Sequence, residues 1–234
     1  MEFENKILGN IELYYSPASF RKGGEFKVCG EETKHILKVM RHTAGDELYI
    51  TDGQGTICKT NIESIEKDCV TTRIVDEYKY VNNLKNIFFC VTRLKSSDRF
   101  EIALEKCTEL GITNFIVYNS ERAVPKGNKA ERWEKILISA MKQSLRSFIP
   151  ELSFINSLKD LDSRNGKKFL LSQESENTFS RSLINNDYDY YFIFGPEGDL
   201  TMDEQNYLSG VEFYNLGNYR LRSETAVIKC ASLL

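Results

Sequence analysis

The chain has 234 residues, 41% hydrophobic and 28% charged, enough for one large domain or two smaller ones with a real core. Its formal net charge of −3 argues against a protein that is basic all over, so any nucleic-acid contact must come from local patches. The longest apolar runs, such as Tyr190 to Phe194, are too short to span a membrane, and MEFENKILGN lacks the basic-then-apolar order of a secretory signal. Six cysteines, at 29, 58, 69, 90, 107 and 230, form no CxxC pair. They read as reduced thiols in a cytoplasmic protein without zinc, with Cys90 and Cys107 as small core residues.

Residues 1–77 read as short strands and turns. Leu48 and Ile50 alternate with polar residues, Asp52-Gly53-Gln54-Gly55 turns the chain, and Ile57 begins a second strand. One helix interrupts this pattern, over about Glu32 to Met40. The polar stretch 79–86 marks a boundary, so the expected domains are 1–77 and 78–234. Beyond it strands and helices alternate. IFFCVT (87–92) is a buried strand. Ser97 can cap a helix from Asp98 to Leu110, whose apolar stripe is Phe100, Ala103, Leu104, Cys107 and Leu110. ITNFIVY (112–118) is a strand, and a helix covers about 130–147. KFLL, YYFIF and VEFYNL are further strands, and a last helix starts after Ser223. Such alternation predicts an α/β domain with a mostly parallel sheet covered on both faces.

The familiar nucleotide, metalloprotease and hydrolase motifs are absent, and two histidines, His35 and His42, are too few for most metal or triad chemistry. Three segments carry the chemical signal. YYFIFGPEGDL runs a buried strand into Gly195-Pro196-Glu197-Gly198, where an open parallel sheet binds its ligands. VEFYNLGNYRLRSETA adds a second strand and glycine loop, with Arg220 and Arg222 at the turn, Ser223 as helix cap and Glu224 in the first turn. Together the loops can enclose a small flat ligand. In AMKQSLRSFIPEL, Gln143, Arg146 and Ser147 share a helix face suited to a base edge and a phosphate.

HILKVMRHTAGDELYITDGQG, RLKSSDRFEIALEKCTELGI with SERAV, KQSLRSFIPEL, FGPEGD and LGNYRLRSETA, in that order, resemble the bacterial ribosomal RNA small-subunit methyltransferase E family over about residues 12–234. That resemblance implies a SPOUT α/β-knot domain with a deep C-terminal trefoil knot, preceded by a PUA-like β-barrel that docks RNA. It implies S-adenosylmethionine as cofactor, no metal, a homodimer formed by the C-terminal domain, and methylation of uridine N3 in 16S rRNA of the small ribosomal subunit. Carried over by position, the cofactor residues are Leu171, Phe194, Gly195, Pro196, Glu197, Gly198, Leu216, Gly217, Leu221 and Arg222. Three positions depart from the family. Asp199 stands where a second glycine is usual, Tyr219 replaces an arginine, and Arg220 replaces an apolar residue.

For the reaction, Arg222 and Arg146 are candidates to stabilise an anionic uracil, and Glu197 or Glu224 to accept the N3 proton. Glu224 reads first as a residue serving its helix N-terminus. Lys34, Lys38 and Arg41 lie at i, i+4 and i+7, a basic face for RNA phosphate, with Gln143 and Arg146 as further RNA contacts. The alternatives are a SPOUT methyltransferase acting on another RNA or base atom, and a non-catalytic RNA-binding protein of the same fold.

Overall fold

The structure, a computed structural model, describes residues 8–17, 23–123 and 129–234. Residues 1–7 of the N-terminal reading, and Val124 of the SERAV block, lie outside them. The chain divides into two compact units, Met1–Asn82 with Met141–Ile149, and Asn83–Ala140 with Pro150–Leu234. The division thus falls within the polar stretch 79–86, at 82/83 rather than 77/78, and Met141–Ile149 groups with the first unit.

In the first unit, β1 (Leu13–Tyr15), β2 (Glu25–Cys29), β3 (Glu47–Thr51), β4 (Thr56–Ile65) and β5 (Cys69–Lys79) form one sheet in the order β1-β3-β4-β5-β2. The β1–β3 pair is parallel and the others are antiparallel. Alternation puts Leu48, Ile50, Ile62 and Val70 on one face, where they pack with Tyr14, Val28 and Ile36. The DGQG turn is held by the Asp52 carboxylate, which accepts the Gln54 and Thr56 N–H groups at 2.7 and 3.0 Å. Gly55, at φ 104°, faces Phe148, whose ring would lie 2.7 Å from an added Cβ. Its N–H donates to the Ser147 carbonyl at 2.9 Å, and Ile149 N–H donates to the Gly53 carbonyl at 2.9 Å. The glycines of this turn therefore receive residues 147–149 as well as reversing the chain.

Three expectations for this unit change. The helix near Glu32 to Met40 is one α-turn, α1 (Glu31–Lys34), followed by a wider π-turn over His35–Val39. Arg41 lies beyond it at φ 60°, so Lys34, Lys38 and Arg41, though all exposed, do not share one α-helical face. Residues Gln143, Arg146 and Ser147 do not share a face either, because the helix over 130–147 ends at Gln143 and Leu145 takes φ 54°. Cys29 and Cys69 are not reduced thiols but a disulfide. They stand directly opposite in the β2–β5 ladder, a pairing made by sheet register that cysteine spacing does not reveal. Cys58, Cys90, Cys107 and Cys230 are free and buried, and Cys90 and Cys107 do lie in the core.

In the second unit, β6 (Ile87–Thr92), β7 (Asn114–Tyr118), β8 (Glu151–Ile155), β9 (Lys167–Leu171), β10 (Tyr190–Phe194) and β11 (Glu212–Tyr214) form an all-parallel sheet in the order β11-β9-β10-β6-β7-β8. The central strand β10 is buried along its whole length, as both faces are covered. Tyr190, Phe192 and Phe194 enter one core with residues of α2 (Ser97–Glu109), α3 (Ala130–Gln143) and α6 (Ser223–Ser232). Tyr191 and Ile193 enter the other, beside α4 (Lys159–Asp162) and the loops flanking α5 (Met202–Asn206). Neither predicted serine cap forms. Ser97 instead donates from Oγ to Glu101 at 2.9 Å, and α6 begins after Arg222 without a side-chain cap.

Candidate active site

Strands β10, β9 and β11 end level with one another. Phe194 pairs with Leu171, and Leu171 with Tyr214, so three loops leave the same sheet edge together. They enclose a cavity of about 370 Å³. Its lining includes Leu171, Phe194, Gly195, Pro196, Glu197, Gly198, Leu216 and Leu221 from the predicted set. Gly217 and Arg222 do not line it. Gly217 shapes the loop instead, at φ 126°, with its N–H donating to Asn215 Oδ1 at 2.9 Å. Its carbonyl accepts from Gln173 Nε2 at 3.0 Å. Ser172 and Gln173, directly after β9, also line the cavity. They follow the KFLL strand, and a position beyond a parallel strand's carboxyl end is the signal that marks them.

The Gly195 loop is braced from below and from the side. The buried Tyr118 hydroxyl donates to the Phe194 carbonyl at 2.7 Å. Burial, with Cys90, Glu204 and Asp199 nearby, pushes its phenol well above the usual value, so it stays a donor. Arg122 donates to the Gly198 carbonyl at 2.6 Å. The neighbouring Glu121 N–H is held at 3.0 Å by buried Glu204, which closes a capping box with Thr201. None of Tyr118, Arg122 and Glu204 stands out by periodicity. The departure at Asp199 is resolved by conformation: its φ is 61°, the left-handed region where glycine is usual and aspartate is among the tolerated residues. Its N–H closes a turn onto the Pro196 carbonyl at 3.0 Å. Tyr219 is 84% exposed, away from the lining, whereas Arg220 brings a cation into it.

A second cavity of about 310 Å³ adjoins the first, sharing Glu197, Arg220, Leu221 and Ser223. Arg222, Glu224 and Arg99 complete its charged lining. Arg222 sits at the N-terminus of α6 and Glu224 in its first turn. Glu224 does not cap the helix with its side chain. It faces Arg99, with Nε to Oε1 at 3.6 Å, and its buried Oε2 has no hydrogen-bond partner among the described residues. Glu197 accepts the Lys95 N–H at 3.1 Å. Arg99 was not legible as a site residue, because it reads as a polar position on an amphipathic helix. Gln143 and Arg146 belong to the first unit, and both cavities of the second unit are built without them. Arg146 is half-buried there, and burial lowers its pKa from the ordinary guanidinium value.

The first cavity fits S-adenosylmethionine by the chemistry of its walls. Leu171, Phe194, Leu216 and Leu221 give an apolar slot for adenine, while Glu197 supplies a carboxylate against a sulfonium or an amino group. Among the described residues no group of three His, Cys, Asp or Glu is placed to hold a metal.

Comparison with known proteins agrees with this geometry. A family model described as an RNA methyltransferase domain matches residues 82–234, and one described as an RNA methyltransferase PUA domain matches residues 28–75. The chain is 30% identical over 227 residues to ribosomal RNA small subunit methyltransferase E of Bacillus subtilis, covering 89% of each protein. The chain belongs to the ribosomal RNA small subunit methyltransferase E family. The Aquifex aeolicus member is 28% identical over 232 residues, covering 96% of this chain and 99% of that one. A crystal structure of the Neisseria gonorrhoeae member bound to S-adenosyl methionine matches with a TM-score of 0.83 and 26% identity, covering 95% of this chain and 96% of that chain. The predicted fold class thus holds, as an α/β methyltransferase domain with an N-terminal PUA-type domain.

Proposed function

We propose that this chain transfers a methyl group from S-adenosylmethionine to N3 of one uridine in 16S rRNA. The observation that carries this reading is the pair of adjoining cavities. One has apolar walls and carboxylates, and the other is lined by Arg222, Arg99 and Glu224. When bound, the cofactor supplies an electrophilic methyl on a sulfonium. The apolar walls orient its adenine, and Gly195 lets the backbone approach it closely. Bringing base and methyl donor into two adjoining cavities supplies much of the acceleration by positioning. Arg222 stabilises the charge that develops on the uracil oxygens as N3 loses its proton. Glu224 is the better proton acceptor. Its Oε2 has no partner among the described residues, while Arg99 faces Oε1 and Glu197 accepts a backbone N–H.

The first unit serves RNA docking, through exposed Lys34, Lys38 and Arg41 and through Gln143 and Arg146 of the returning segment. The path of the chain supports the deep trefoil knot. From the edge strand β11 it returns to place α6 against α2 and β10. Among the described residues no helix is long and apolar enough to cross a membrane. We place the enzyme in the cytoplasm, acting on the small subunit or its rRNA as a homodimer of the C-terminal domain. Light scattering at micromolar concentration is expected to give a dimer mass. Nucleoside mass spectrometry of 16S rRNA from a deletion strain tests the activity. One N3-methyluridine should vanish and return on complementation, and an unchanged modification pattern would overturn the reading.

A further inference from the structure

The same sheet edge carries a further cavity, of about 260 Å³, at the ends of β6, β7 and β8. These strands also end level, with Thr92 paired to Tyr118 and Tyr118 to Ile155. The residue after each strand end is polar, and all three, Arg93, Asn119 and Asn156, line the cavity. Its aromatic walls are Trp133 on α3 and Phe154 on β8, whose rings lie 22° from parallel at 6.2 Å between centroids. Phe154 is 44% exposed, so part of its ring is open to a ligand.

Trp133 supplies an independent sign of a ligand. It is 3% exposed, yet its indole Nε1 is buried with no hydrogen-bond partner among the described residues. A buried N–H without a partner is costly, and tryptophan normally satisfies this donor. Trp133 and Arg93 also line a smaller recess with Lys95 and Lys129, so three cations converge beside the aromatic wall in a chain of net charge −3. Arg93 donates to Asn119 Oδ1, which leaves the Asn119 amide N–H groups as donors toward a ligand.

We infer that this cavity binds one nucleotide of a single RNA strand, its base against Trp133 and Phe154 and its phosphate beside Arg93, Lys95 and Lys129. Trp133 Nε1–H and the amides of Asn119 and Asn156 then meet the polar edge of the base, and stacking on aromatic rings is tolerant of base identity. The recess, which shares Arg93 and Trp133 with this cavity, links it to the reaction site. Lys95, which lines the recess, gives its N–H to Glu197 of the two cavities already described. The nucleotide held here is a neighbour of the target uridine. This rests on the chain acting on RNA.

Trp133 is the only tryptophan, so its emission reads the cavity directly. The full chain is titrated with pentauridylate, with uridine monophosphate, and with an abasic oligomer of the same length. Pentauridylate should quench the emission saturably, uridine monophosphate more weakly, and the abasic oligomer not at all. Arg93→Gln and Asn156→Ala should each weaken the response about fivefold or more, as loss of a base or phosphate contact does. Calorimetric affinity for S-adenosylmethionine should not move. Emission indifferent to pentauridylate, equal quenching by the abasic oligomer, or unchanged response in both variants would overturn the assignment. Methyl transfer is scored separately. Quenching by RNA without any transfer would remove the proposed reaction and keep this site, and transfer with silent Trp133 would do the reverse.

Discussion

The two units bind by different physics. In the second unit the cofactor cavity is shaped by backbone, because three level strand ends, the Gly195 loop and the turn at Asp199 set where its apolar walls stand. In the first unit the proposed RNA contacts are exposed side chains, and Lys34 already shares its charge with Glu31 at 2.6 Å. A backbone site has few replaceable parts, so one change can destroy it. A charged surface is a sum of weak, screened terms, so single changes erode it.

The largest effect expected from this contrast is at Gly195. A Cβ there would meet Asp199 Oδ1 at 3.3 Å, a tight contact to which the Asp199 side chain must yield slightly, and valine methyls would add bulk to the cavity lining. Gly195→Val should lower S-adenosylmethionine affinity by about a hundredfold or more while thermal stability stays close to wild type, a loss typical of a blocked buried contact. Near-normal calorimetric affinity would show that the loop does not line the site. Next is Gly55→Val, which forces a β-branched residue to φ 104° and against Phe148. The cost should be roughly 2–5 kcal/mol from backbone strain and overpacking. Hydrogen exchange should report lost protection in β3, β4 and residues 147–149, and wild-type protection there would remove the structural role given to this turn.

A smaller effect is expected from the surface. Reversing both charges, Lys38→Glu with Arg41→Glu, should weaken RNA binding about tenfold and flatten its salt dependence, leaving cofactor affinity untouched. Wild-type affinity and salt slope would end the docking assignment. The smallest is Asp199→Gly. It relieves a left-handed aspartate but loosens the unfolded chain, so melting should move by less than about 1 kcal/mol in equivalent stability, with cofactor binding kept. A large loss of affinity would mean that the Asp199 carboxylate, and not only its backbone, holds the ligand.

The second unit is legible in the sequence because the buried strand and glycine loop that build its site leave a local signal. Strands buried on both faces read as apolar runs, and Gly195 directly after β10 marks its loop, so β6, β9, β10 and the Gly195 loop are visible without a structure. Strand β8, with its mixed burial at the sheet edge, gave no such run. The failures lie where distant segments meet. Cys29 and Cys69, 40 residues apart, are paired by register, and residues 147–149 are received by the Gly53–Gly55 turn. The end of α3 at Gln143 was hidden because nothing in KQSLRSF breaks a helix, and only the left-handed Leu145 does so in the fold. Arg99 and Arg122 look like ordinary surface charges until Glu224 and the Gly198 carbonyl are placed beside them.

Cofactor and reaction centre are proposed to occupy separate, adjoining cavities of the second unit. Single-turnover transfer of labelled methyl from S-adenosylmethionine to 16S rRNA, with the product nucleoside identified by mass spectrometry, tests it in wild type and Arg222→Ala. Wild type should place the label on N3 of one uridine. Arg222→Ala, which lines only the second cavity, should keep cofactor affinity while its rate falls about a hundredfold, the scale of a lost transition-state donor. Label on another atom, no transfer by wild type, or a variant that loses cofactor affinity in step with rate would contradict it.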